Sequence, residues 1–376
     1  MRVCVILGTR ADAVMLAPVV HELDAVPGAA TTVVSTGQNR QRLEEALSAF
    51  GMEPDVELDP MRPAPLPAGP ASRLVADLGN VLTQLAPDRV LVQGDTATAL
   101  CGALAAYHAA IPVGHVDAGR RTPDPAGATA DGGGRRLAWA IADRHYARTQ
   151  RTAEGLLAEG VPSASIVVTG STAIDSLLWA ARRSPGVPLS APRARLRRVL
   201  VKLKGLGAQP EALRGICAAI RELTAVRDVD VVVPEHRSPA GQAVLRDALD
   251  GAPGVHLVGQ LGYLELAAEL VACDLVLTDS GAMQEDGPAV NTPVLVVGDA
   301  TDRPEAVERG AARLVGLEPA GIVDEVTRLL DCRIAHRAMA AVENPYGDGT
   351  AARRIVDDLI GIDSPLRLPE ALSAAA

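Results

Sequence analysis

What most limits the fold of this chain is a recurrent pattern. Short runs dominated by Val, Ile and Leu follow one another, each closing on Gly, Asp, Thr or Ser and leading into a helix-like segment. In the first half they read VCVILGT, TTVVSTG, RVLVQGD, PVGHVDAG, RHYART and IVVTGST. In the second half they read RVLVKL, DVVVPEH, GVHLVG, LVLTDSG, PVLVVGD and ARLVG. Runs that are apolar on both faces suit parallel strands covered by helices on each side. Their alternation with helices predicts α/β architecture. Open parallel sheets bind ligands beyond the carboxyl ends of their strands. The residues that close each run are therefore the first candidates for a site: Arg10, Asp95, Asp117, His236 and Ser280.

With 376 residues, the chain is long for one core and about right for two. Hydrophobic residues make up 48% but aromatic ones only 2%, so Leu, Val and Ala must do most of the packing. The stretch ARRSPGVPLSAPRARLRR, rich in Pro and Arg, reads as an interdomain linker with a boundary near residue 185. The expected division is 1–185 and 186–361, the second ending in the amphipathic TAARRIVDDLIGI, with 362–376 as a frayed tail. Two doubly wound domains facing each other would line one cleft with their strand ends. The net charge of −10 argues against a nucleic-acid partner, which needs a basic surface. No apolar run reaches membrane-spanning length, and MRVCVILGTRADA turns polar too soon for a secretory signal. Cys4, Cys101, Cys217, Cys273 and Cys332 are widely spaced without CxxC, which suggests buried free thiols in a reducing cytoplasm and no metal site.

Several strand ends carry chemistry. In TDSGAMQEDGP, residues 278–288, Ser280, Gly281 and Ala282 open a helix whose unpaired N–H groups can bind phosphate oxygens. Glu285 and Asp286, one turn later, can accept from ribose hydroxyls; the alternative is an ordinary Ser cap with acids in the first turn. Arg10 in GTRADA suits a phosphate, or is a solvated loop arginine. Neither GxGxxG nor GxxxxGK[ST] occurs there, so neither an NAD fold nor a P-loop is indicated. Asp95 in VQGDTATA and Asp117 in GHVDAGRRT close successive strand runs, where two acids can share acid/base work or simply cap turns. His236 in VVPEHRSP is a ligand or a structural histidine. The segment 114–136 adds Asp124 and Asp131 among glycines, as a solvated linker or as a loop carrying carboxylates to a substrate.

With these pieces in order, the chain resembles the UDP-N-acetylglucosamine 2-epimerases from about residue 2 to residue 361. The resemblance rests on GTR, LAPVV, STGQNRQRLEEALSAFGMEPDVELD, VQGDTATAL, IPVGHVDAGRRT, VTGSTAIDSLL, TDSGAMQED, PVLVVGDATDRPEAVERGAARLVG and NPYGDGTA, all colinear. It implies two Rossmann-like domains in a glycosyltransferase-B-type arrangement with an interdomain cleft, and UDP held mostly by the C-terminal domain. It further implies inversion at C2 of a UDP-sugar without a cofactor or metal, by elimination and re-addition of UDP, in a cytoplasmic homodimer. A hydrolysing variant that releases UDP and N-acetylmannosamine, and a silent UDP-sugar-binding paralogue, are the alternatives. Carried over by position, Asp95, Asp117 and Asp131 fall on catalytic carboxylates, the latter two where the family has glutamates. Arg10, Ser280, Gly281 and Ala282 fall on the diphosphate-binding segments, Asp286 on a ribose-binding glutamate, and Arg135, His236 and Arg303 on matching family positions. The family's His-Arg-Arg-Glu is replaced by VKLKGLG, which holds the only two lysines, with Lys204 at the histidine position. Met15, Asn39 and Leu266 stand for a lysine, a histidine and a phenylalanine, so the family's activating second nucleotide site is expected to be dismantled.

Overall fold

The computed structural model describes residues 1–38, 40–59, 69–119, 137–183, 197–206 and 209–363. These residues form two compact units, Met1–Ser176 with Gly347–Ala376, and Leu177–Tyr346. Each is built on a wholly parallel sheet. The first has seven strands: β1 (Arg2–Leu7), β2 (Ala30–Ser35), β3 (Val56–Glu57), β4 (Arg89–Gln93), β5 (Val113–Ala118), β6 (Arg144–Ala147) and β7 (Ile166–Val168). Their order is β3-β2-β1-β4-β5-β6-β7. The second has six: β8 (Arg197–Lys202), β9 (Val229–Pro234), β10 (Val255–Val258), β11 (Leu275–Thr278), β12 (Val294–Val297) and β13 (Ala312–Gly316). Their order is β10-β9-β8-β11-β12-β13.

Every apolar run read from the sequence is a strand, and the addition is β3. Two residues are too few to carry a period, so β3 is visible only through its pairing with Val34 and Ser35. The central strands are buried along their length, as β4, β5 and β9 show. Cys4, Ile6, Val90 and Val92 pack with Leu74, Leu78 and Leu82 in the first unit. Val199, Val201, Val231 and Leu275 pack with Leu213, Ile216 and Ile220 in the second.

The last helix, Ala351–Asp363, packs on the helix Arg10–Asp24 of the first unit rather than within 186–361, where the linear division would put it. The reason is polar. The Asp175 carboxylate accepts from the N–H groups of Ala351 and Ala352 at 3.2 and 2.9 Å, satisfying two donors at the helix start. Asp358 on the same helix accepts from Arg144 Nε at 2.9 Å and from the Tyr146 hydroxyl at 3.1 Å, fixing the helix to β6. The five cysteines are free thiols, four of them buried; Cys332 is exposed, contrary to the expectation that all are interior. Among the described residues no helix is long and apolar enough to cross a membrane.

Candidate active site

Each sheet reverses its strand order once, between β1 and β4 in the first and between β8 and β11 in the second. Such switch points are where open parallel sheets form ligand crevices, because adjacent strands send their connections to opposite faces. Arg10 and Asp95 lie at the first of these places, with Asp117 on the next strand, and Lys204 and Ser280 lie at the second.

In the first unit, Arg10 is half-buried and opens the helix that follows β1. Thr9 caps that helix and Asp12 answers it: the Asp12 carboxylate accepts from the N–H groups of Gly8 and Thr9, both at 2.9 Å. Burial raises the Asp12 carboxyl to about 6, against the opposing pull of those bonds. Asp95 is half-buried in the turn after β4, just before Thr96, whose hydroxyl caps the next helix. The turn is held from the neighbouring strand, where His115 Nε2 lies 2.7 Å from the Gly94 carbonyl. Burial pushes His115 down to about 4, so near neutral pH the ring is uncharged and Nε2–H is the donor.

Asp117 sits at a break in the β5–β6 register, with Val116 opposite Tyr146 and Ala118 opposite Ala147. Its φ of +61° is in the left-handed region, which non-glycine residues rarely occupy. Bulges of this kind re-aim a side chain and recur beside active sites. The carboxylate is buried and gripped by Arg148, the first residue beyond β6. Arg148 Nε donates to Oδ1 at 2.6 Å and Nη2 contacts the same oxygen, while Gln93 Nε2 reaches Oδ2 at 3.4 Å. Two residues on, Gly119 has a φ of +83°, and a Cβ there would lie 2.4 Å from the Thr152 carbonyl. Only glycine lets β5 leave so close to the helix that Arg148 precedes. Asp124, Asp131 and Arg135 lie outside the described residues.

In the second unit the turn after β11 is tied to the turn after β8. Asp279 Oδ1 accepts from the Lys204 N–H at 2.6 Å, and Oδ2 accepts from Gly205 and Leu206 at 2.6 and 3.0 Å. The Thr278 hydroxyl donates to the Lys202 carbonyl and accepts from the Ser280 N–H at 2.9 Å. Lys204, with an exposed side chain, and Ser280 are thereby brought to one switch point. Ser280 occupies the N-cap position of Gly281–Ala289, yet its hydroxyl makes no capping bond and no acid stands in the first turn. The ordinary-cap reading of this motif is therefore not the one adopted, and the helix start keeps its donors for another acceptor.

Gly281 and the exposed Ala282 begin that helix with Arg303 packed against it; a Cβ on Gly281 would lie 3.2 Å from the Arg303 Cζ. Arg303 is buried between carboxylates, with Nε on Glu285 and Nη1 at 2.7 Å from Asp302. Asp286 follows in the same helix, where burial and then the Glu285 charge raise its carboxyl well above the usual range.

His236 stands apart, beyond β9. Its Nδ1 accepts from the Ser238 N–H at 3.0 Å, which puts the proton of the neutral ring on Nε2. That buried Nε2 has no partner among the described residues, beside a cavity of about 130 Å³ lined by Glu235, Gln242, Arg246, Leu257 and Gly259. Among the described residues no group of three His, Cys, Asp or Glu side chains is placed to hold a metal ion.

Sequence reading missed Arg148, Gln93 and Asp279, and it named Glu285 without its partner Arg303. Arg148 had a signal, a charged residue at the close of an apolar run; Gln93, Asp279 and Glu285 acquire partners only through the fold.

A family profile described as UDP-N-acetylglucosamine 2-epimerase matches residues 21–360. The chain belongs to this epimerase family. It is 38% identical over 369 residues to the UDP-N-acetylglucosamine 2-epimerase of Yersinia pestis, covering 96% of this chain and 98% of that one. To the enzyme of the same name from Escherichia coli K12 it is 36% identical over 371 residues, with 96% and 98% covered. The crystal structure of UDP-GlcNAc 2-epimerase from Neisseria meningitidis bound to UDP-GlcNAc superposes with a TM-score of 0.85 at 32% identity, covering 96% of this chain and 100% of that one. Of the positions where this epimerase-family chain departs from the family pattern, Met15 is buried, with the Thr172 hydroxyl 3.9 Å from its sulfur, and Leu266 is half-buried in the helix Tyr263–Ala272. Asn39 lies outside the described residues.

Proposed function

We propose that the chain is a UDP-N-acetylglucosamine 2-epimerase, interconverting UDP-GlcNAc and UDP-ManNAc or a related UDP-aminosugar. The observation that carries the reading is the pair of acids at adjacent strand ends, Asp95 after β4 and Asp117 in β5, within a chain of this family.

The C2 hydrogen of the sugar is weakly acidic, so its removal must be coupled to departure of a good leaving group. One carboxylate takes the C2 proton while the C1–O bond to the diphosphate breaks, which leaves a C1=C2 glycal and UDP. A second acid then protonates C2 from the opposite face and the β-phosphate oxygen re-forms the C1–O bond. Asp95, Asp117 and Asp131 are the proposed acid and base groups. Ser280, Gly281, Ala282, Arg10 and Lys204 are proposed for the diphosphate, whose charge grows as it leaves, and Arg303 as a further substrate-binding residue. Asp286 is proposed for the ribose, with Arg135 and His236 as further substrate contacts. The uncommitted Ser280 hydroxyl and helix-start donors support the diphosphate role. A homodimer is proposed from the family resemblance. Location in a reducing cytoplasm is proposed from the widely spaced free thiols, four of them buried.

The test is proton NMR of the protein with UDP-GlcNAc in D2O. Deuterium entering C2 as UDP-ManNAc grows is the expected result. Free UDP with ManNAc would move the chain to the hydrolysing class. Bound but unaltered UDP-GlcNAc, with other UDP-aminosugars equally inert, would refute the catalytic reading. Asp95→Asn should abolish turnover while UDP binding persists.

A further inference from the structure

We propose that Arg148 is a positioning residue for C2 proton transfer, acting through Asp117; the inference rests on the epimerase reading above. Both side chains are only 5% exposed, so this is a buried ion pair. Such pairs are poor stabilisers, because desolvation offsets most of the attraction and apolar side chains of similar size often serve as well. Its place in the sheet points to a use other than stability. Arg89, whose partner Asp143 is half exposed, and the buried pair Arg198–Glu269 sit at the starts of β4 and β8, the ends remote from a ligand crevice, whereas the buried pair Arg303–Glu285 belongs to the candidate site of the second unit. Arg148 and Asp117 lie at the opposite, carboxyl ends of β6 and β5.

The geometry is unequal between the two carboxylate oxygens. Oδ1 takes both Arg148 contacts, whereas Oδ2 carries only the long Gln93 contact among the described residues. Arg148 on Oδ1, with Gln93 on Oδ2, restrains the carboxylate and leaves Oδ2 with lone pairs to receive a proton. Backbone restraints act in the same direction. The bulge and left-handed φ at Asp117 set its Cα–Cβ direction. Arg148 is fixed by the Thr149–Thr152 capping box that begins at the next residue. Strain at a non-glycine residue, held beside a buried ion pair at a strand end, is the pattern of a site whose aim matters.

The experiment measures kcat and KM for UDP-GlcNAc, and deuterium entry at C2, in wild type, Arg148→Met, Arg148→Lys, Asp117→Asn and the double variant Asp117→Asn/Arg148→Met. Loss of aim by about an ångström costs roughly a hundredfold in rate. Arg148→Met should therefore lower kcat and C2 exchange by about 100-fold with KM changed only a few-fold. Arg148→Lys, which can keep one charged contact to Oδ1, should recover part of the loss. The double variant should be no slower than Asp117→Asn alone, since the proposed part of Arg148 in proton transfer runs through that carboxylate. It also buries no unpaired charge, so it tests the idea free of the destabilisation that an orphaned carboxylate brings to Arg148→Met. Additive losses in the double variant, or a raised KM with unchanged kcat, would overturn the proposal. Absence of C2 exchange in the wild type would instead overturn the epimerase reading, and this inference with it.

Discussion

Replacing Asp279 tests whether the two turns at the second switch point are one unit. Its carboxylate accepts three successive main-chain N–H bonds, from Lys204, Gly205 and Leu206. A hydrogen bond to a charged group contributes about 1.5–3 kcal/mol, but exposed donors recover most of that from water. Lys204 and Gly205 are exposed, while Leu206 is buried. Asp279→Ala therefore loses little at the first two and leaves one buried donor unpaired, for a total of about 2–3 kcal/mol. Asp279→Asn keeps an acceptor for Gly205 and Leu206 but turns an amide N–H toward that of Lys204, for about 1 kcal/mol. For a unit of this size each kcal/mol lowers the melting midpoint by about 2–4 °C, so the alanine variant should melt about 4–12 °C lower. Urea and thermal unfolding of both variants, followed by UDP titration, measure the effect. UDP affinity should fall in the same order, Asn then Ala, because the freed turn no longer holds its place beside Ser280. An alanine variant within about 0.5 kcal/mol of wild type would refute the reasoning, since surface changes away from special features fall in that range.

Two further outcomes follow from the first unit. Gly119→Ala places a Cβ 2.4 Å from the Thr152 carbonyl at a φ of +83°; the left-handed strain alone is worth about 1–3 kcal/mol and the clash adds to it, so a urea midpoint unchanged from wild type would contradict the described path of β5. Asp12, raised to about 6 in the fold, titrates near 4 when unfolded, so between those values the native state binds more protons. Its contribution is full below about pH 4 and lost as pH rises through 6, worth about 3 kcal/mol; Asp12→Asn should flatten the unfolding free energy against pH in that window, and parallel curves would rule the assignment out.

The sequence disclosed the strands because burial on both faces writes itself as unbroken Val/Ile/Leu runs. β3 left no such trace, and neither did the destination of the last helix. Its amphipathic pattern says only that one face is buried; Asp175 and Asp358 decide which unit covers it. Strand-closing positions can be read in order, so counting alone places Arg10, Asp95 and Ser280 just beyond the ends of β1, β4 and β11. Partnerships were not legible. Arg148 is 31 residues from Asp117, Asp279 is 75 from Lys204, and Glu285 is 18 from Arg303; each pair forms because the sheet or the strand-end turns bring its members together. The capping question at Ser280 was likewise undecidable from TDSG, since the motif permits the bond that the fold omits.

These partnerships bear on the shortened carboxylate at 117. Where the family resemblance puts a glutamate, aspartate has one methylene less reach, and also one fewer rotatable bond over which to lose its aim. A longer acid can be positioned by substrate contact late in the reaction. A shorter one must be carried to its place by the backbone and held there. The chain supplies both requirements locally: a register break and left-handed φ at Asp117 carry the carboxylate, and the buried Arg148 holds one of its oxygens. A desolvated ion pair adds little over apolar side chains and a left-handed φ carries a cost, so stability alone does not account for keeping the two together. On the proposal above, aspartate, bulge and arginine work as one unit, in which the shorter reach is offset by fixed geometry.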